Sequence, residues 1–145
     1  MPKKLKKYIL EKDSFDSFDI LGIVTAQNDF RLALQLNEKY RIFFEKNLEP
    51  LEIPEKKSGQ IVPFNYFSFS DPTDFVSYFL IRNKQDGHLL LAEKPSIDFF
   101  LVLQNNYKLE TQEILTDLRS MERIIAAFPF SSDEFALAEY LIFEN

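Results

Sequence analysis

Between Ile61 and Gln104 the sequence is cut into apolar runs of strand length, Ile61–Ser70, Phe75–Arg82, His88–Glu93 and Ile97–Gln104, separated by connections of only about four residues. Connections that short force antiparallel pairing, because a parallel neighbour needs a crossover of about a dozen residues or more. The breaks also carry turn chemistry. Asp71-Pro72 and Lys94-Pro95-Ser96 set proline at the second position of a type I turn, and Asp86-Gly87 is a hairpin signal. The expectation is a β-meander.

What flanks the meander is mixed. Leu5–Leu10 reads as a short strand, Asp13-Ser14-Phe15-Asp16 as a turn, and Phe18–Thr25 as a buried strand, continuous and β-branched towards its end. Asn28 or Asp29 then offers a helix cap. From there Phe30, Leu32, Ala33, Leu34, Leu36 and Tyr40 sweep an apolar arc of roughly 200°. Asn37 falls inside that arc, so it is expected to be buried with its amide bonded to backbone. Residues 45–60, with Pro50, Pro54, Gly59 and many charges, read as a loop.

After Asn106 the period changes. Ile114, Leu115, Leu118, Met121, Ile124, Ile125 and Phe128 recur at helical spacing, which predicts a helix over 112–128 ended by Pro129. Ser131-Ser132-Asp133 can cap one more short helix before a closing strand at Tyr140–Phe143. Helices beside an antiparallel sheet make this an α+β fold, read as one domain over residues 1–145 with two main amphipathic helices on the meander.

The residues available exclude several chemistries. There is no cysteine, so disulfides, thiolate metal sites and thiol catalysis are out. With three glycines, at 22, 59 and 87, no phosphate-binding glycine loop can be written. His88 is the single histidine and follows the Asp86-Gly87 corner, where a plain turn histidine is expected and not a catalytic one. No cofactor and no metal are expected.

The net charge of −6 opposes a nucleic-acid partner. Lys3, Lys4, Lys6 and Lys7 precede only Tyr8-Ile9-Leu10, too short an apolar run for an export signal. No stretch reaches the about 18 apolar residues of a membrane span. The expectation is a bacterial cytoplasmic protein.

Two carboxylates stand out among many. Glu93 and Asp98 each adjoin a strongly apolar run and flank the Pro95 turn, so they are expected at the tops of adjacent strands, converging on one polar spot. Such a pair can fix turn amides, or it can serve as acid and base or as a cation site. The phenylalanine runs Phe43-Phe44, Phe64 to Phe69 and Phe99-Phe100 read as a sheet covered on both faces, by helices on one and by a second copy of the chain on the other, hence an expected homodimer.

The stretch Leu91-Ala92-Glu93-Lys94-Pro95-Ser96-Ile97-Asp98-Phe99 resembles the signature of the bacterial IPExxxVDY family, keeping the acid pair and its spacing, with Ala92 where the motif has proline. The resemblance extends to Asp29–Asn37 and to Leu141-Ile142-Phe143. It implies a small bacterial protein with no reaction attached, and it singles out Glu93 and Asp98, with Asn37 as a weaker third. The functional expectation is a non-enzymatic, self-associating interaction domain with an unknown protein partner. The alternatives are a carboxylate-based hydrolase, with or without a metal, using Glu93 and Asp98, or a small-molecule binder.

Overall fold

The computed structural model describes residues 18–54 and 58–130. The expected strand at 5–10, the turn at 13–16, the helix after Ser131 and the closing strand at 140–143 lie outside them. The elements run β1 (Phe18–Thr25), α1 (Asp29–Tyr40), β2 (Glu45–Lys46), β3 (Leu51–Pro54), β4 (Ile61–Phe64), β5 (Tyr66–Asp71), β6 (Val76–Arg82), β7 (Lys84–Gln85), β8 (His88–Leu89), β9 (Phe99–Gln104), α2 (Thr111–Ser120) and β10 (Ile124–Phe130). The main sheet has the order β10-β1-β9-β6-β5-β2, every pairing antiparallel. It is an α+β fold, with β5, β6 and β9 as its meander.

The apolar runs are continuous because both faces of the sheet are buried. Along β6, Val76, Tyr78 and Leu80 join one core while Phe79 and Ile81 join the other; along β9, Phe99, Leu101 and Leu103 alternate in the same way with Phe100 and Val102. The first core is closed by Leu32, Ala33 and Leu36 of α1 and by Ile114, Leu115 and Leu118 of α2. The second is closed by Leu51 of β3 and by Leu91 and Ile97 from the turns before β9. The cover expected from a second copy is supplied by the chain itself. At Gly22 the approach is so close that a Cβ would collide with the Phe130 ring and lie 3.0 Å from Ile97 Cδ1, and glycine is what lets both pack onto β1.

Three local readings are corrected. The helix expected over 112–128 ends at Ser120: Met121 is extended, Arg123 turns at φ 76°, and Ile124–Phe130 is a strand on β1. Ile124 and Ala127 still fall on the core side, so the helical spacing persists by coincidence across the turn. Pro129 is tolerated because β10, among the described residues, is an edge strand.

The second correction is at 45–60, which holds β2 and also β3, the latter paired with β4 in a separate ribbon. Pro54 and Pro63 sit in that two-stranded ribbon, where each strand keeps an open side.

The third concerns the run 88–93, which is not a strand of the meander. Only His88–Leu89 pairs, with Lys84–Gln85, around Asp86 and Gly87 at φ 50° and 84°, both positive as a type I′ turn requires.

Candidate functional site

The residues from Asn83 to Asp98 form a knot of turns whose centre the sequence did not single out. Asn83 is fully buried. Its amide nitrogen donates to the carbonyls of Lys94 (2.9 Å) and Ile97 (2.8 Å), and its side-chain oxygen accepts the Leu91 N–H (2.8 Å). Its backbone takes part too, donating to the Asp98 carbonyl and accepting from Leu90 N–H. One side chain therefore stands in for the ladder that a strand at 88–93 would have made. A buried polar residue directly after the apolar run Val76–Arg82 was the available signal.

Asp98 leaves this knot towards β1. Its Oδ2 accepts the Thr25 N–H at 2.9 Å and its Oδ1 pairs with Lys84 Nζ at 3.0 Å, while its backbone N–H donates to the Ile23 carbonyl. Glu93 sits exposed in the turn closed by Lys94 N–H on the Leu91 carbonyl, and the Pro95 turn closes by Ile97 N–H on Lys94. The expected hairpin is therefore corrected. β8 pairs with β7, not with β9, so the two acids do not crown adjacent strands. The partners that hold Asp98 are Thr25 and Lys84.

Asn37 is half-buried where the sequence expected it buried, but its bonds are to backbone as expected. Its Oδ1 accepts the Phe44 N–H at 2.7 Å and its Nδ2 donates to the Phe44 carbonyl at 3.5 Å. Phe44 immediately precedes the edge strand β2. Across the sheet, Arg119 of α2 sends Nε and Nη2 to the Ala127 carbonyl of the other edge strand, β10, at 3.1 and 2.9 Å. Each helix thus commits a side chain to a backbone group at the neighbouring sheet margin, and margins blunted in this way resist strand addition.

The wide apolar arc of α1 is narrower than expected. Phe30 and Leu34 are 58% and 60% exposed, since the sheet beneath them ends at the two-residue β2. Phe30 meets the Phe67 ring edge-on at 5.4 Å, and Lys46 Nζ lies 5.8 Å from the Phe30 ring centre.

At the opposite end of the strands, the β5–β6 tip and the β9–α2 connection meet. Lys108 Nζ bonds Asp74 at 2.6 Å and reaches Asp71 at 3.9 Å. Hydrogen bonds from Lys108 and then Tyr107 hold Asp74 below its usual carboxylate range, and Asp74 in return raises Lys108. Asn106 knots the connection, accepting from Tyr78 hydroxyl and Leu109 N–H and donating to Asp19 and the Leu109 carbonyl.

A void of about 10 Å³ beside Tyr40, Tyr78 and Leu109 holds one water at most. An open depression on α2 is lined by Gln112, Glu113, Thr116 and Asp117. Among the described residues no three His, Cys, Asp or Glu side chains gather as metal ligands. No helix among them is long and apolar enough to cross a membrane. Compared with models of known protein families and with curated proteins, the chain matches none.

Proposed function

We propose that the protein acts by binding other proteins, its own copy included, and not by catalysis. The observation that carries this reading is the α1 stripe, where Phe30 and Leu34 stand one helical turn apart in water beside the end of the sheet. Apolar stripes left exposed on a folded chain mark surfaces covered on association. A two-fold pairing of α1 with its copy is the simplest cover, since such dimers are the commonest assemblies. This replaces the sheet-face dimer, whose bare face is already closed by Leu51, Leu91 and Ile97.

The hydrolase reading has less support. It needs carboxylates free to take a proton or a cation, whereas both oxygens of Asp98 are engaged by Thr25 and Lys84. Kinship with the IPExxxVDY family is part of the proposal, resting on the Leu91–Phe99 motif, and so is a bacterial cytoplasmic setting, resting on the cysteine-free sequence. In that kinship Asp98 acts as an architectural residue of the motif.

The test is light scattering after size exclusion at tens of micromolar. The expected mass is twice 17.1 kDa for the natural chain and 17.1 kDa for Leu34→Glu, which should remain folded as a monomer because Leu34 contributes little to the core. A natural chain running as a 17.1 kDa monomer refutes self-association.

A further inference from the structure

The β5–β6 turn presents an aromatic ring at a conformational cost. In the loop Pro72–Phe75, Asp71 Oδ1 accepts the Thr73 N–H (3.0 Å) and the Asp71 carbonyl accepts the Phe75 N–H (2.7 Å), which drives Phe75 to φ 59°. That left-handed position suits glycine or asparagine, and a bulky side chain there is strained. Burial does not offset the strain, for Phe75 is 78% exposed. Tyr107, 67% exposed, is hydrogen-bonded to Asp74, the residue before Phe75. A strained backbone and an unburied ring at one residue lower stability together, and such outliers gather at functional positions.

We propose that Phe75 and Tyr107 form the contact by which this protein docks a different protein, one whose apolar pocket is rimmed by lysine or arginine. A protruding ring requires a concavity. Two hollows among the described residues do not offer it: the void beside Tyr40 is far smaller than a ring, and the open one on α2 is lined by Gln112, Glu113, Thr116 and Asp117. Charge points the same way. Among the described residues here, Asp19, Asp71 and Asp74 outnumber Lys108, on a chain of net charge −6. A like copy would bring the same sign, whereas a basic rim complements it. Lys108, bonded to Asp74 and reaching Asp71, holds the turn that carries Phe75 to the β9–α2 connection that carries Tyr107.

The inference rests on the protein-binding reading but not on the α1 stripe. It is tested by placing the photo-crosslinking residue p-benzoylphenylalanine at position 75 of the full chain in its native host. The expected result is one discrete crosslinked protein which, once purified, binds the natural chain in titration calorimetry. Phe75→Gly should weaken that binding at least about 10-fold, while Leu48→Ser, at a fully exposed site, leaves it unchanged. Raising salt from about 0.05 to about 0.5 M should weaken the complex as well.

Melting supplies the second readout: Phe75→Gly melts at the same temperature or a few degrees higher, because the strained position is relieved. Crosslinking only to its own chain or to nothing, equal binding by Phe75→Gly, or a marked fall in its melting temperature each overturns the proposal. Should Phe75→Gly still bind the same partner in full, the protein-binding reading stands and the tip falls alone.

Discussion

Replacing Asn83 by leucine tests the centre of the 83–98 knot. The change keeps the branched shape of the side chain and removes all three side-chain hydrogen bonds, leaving the carbonyls of Lys94 and Ile97 and the Leu91 N–H without their partner. Asn83 is fully buried, so water does not step in. At about 1–1.5 kcal/mol per bond the loss is roughly 3–4 kcal/mol. A domain of this kind is stable by about 5–15 kcal/mol in all. With a slope of about 2 kcal/mol per molar urea, the unfolding midpoint should fall by roughly 1.5–2 M with the slope unchanged.

Asn83→Asp sharpens the test. An ionised carboxylate still accepts from Leu91 but faces two carbonyls with nothing to donate. Burial and those carbonyls should raise its folded pKa above the unfolded value of about 3.9. Stability therefore falls as pH rises above that unfolded value, and the deficit against the natural chain is larger at neutral pH than in mild acid. A loss below about 1 kcal/mol for Asn83→Leu, or a pH-independent deficit for Asn83→Asp, would refute the view that this one side chain organises the turns.

Asn37→Leu should cost about 1–2 kcal/mol in thermal melts, the lower part of the range for an orphaned pair because Phe44 is served at a half-buried position that water can partly reach. Arg119→Ala frees the Ala127 carbonyl on β10 and should both destabilise by about 1–2 kcal/mol and bring concentration-dependent aggregation to lower temperature, read by scattering on heating. Burial, reinforced by the hydrogen bond to Asp117, lifts the Tyr40 hydroxyl well above its ordinary 10.0, and burial also raises Tyr78. The unfolded phenols ionise first, so the stability tied to the protonated forms is intact below pH about 10 and is lost as pH climbs above it. Tyr40→Phe should flatten that alkaline loss in urea unfolding at a series of pH values.

Continuous apolar runs bounded by turn residues made β1, β6 and β9 legible, since a strand buried on both faces, such as Phe99–Gln104, has no polar side to show. The sequence left the cap between Asn28 and Asp29, and it is Asn28 whose side chain accepts the Arg31 N–H at 2.9 Å. What misled was spacing without context. Ile124, Ile125 and Phe128 continue the rhythm of Ile114 and Leu118, and only the αL turn at Arg123 breaks it, a conformation that arginine does not advertise. Leu89, Leu90 and Leu91 look like a strand, yet Asn83 claims the Leu91 N–H and the Leu90 N–H bonds the Asn83 carbonyl. The site reading suffered for the same reason: Glu93 and Asp98 drew notice as acids, while the residue that shapes their surroundings was an amide eight residues or more away in sequence.

The distribution of polar bonds bears on where function can reside. Asn83, Asn37, Arg119 and Asp98 all direct their side chains at backbone groups, closing turns or margins that would otherwise be open. Side chains committed in this way have little freedom to act on a substrate, because releasing them orphans buried donors and acceptors. The exposed rings and aliphatic chains carry no such commitment: Leu34 contributes little to the core and Phe75 adds strain to its turn. A fold that satisfies its polar groups inwardly and leaves large apolar groups outside has its binding potential on the surface.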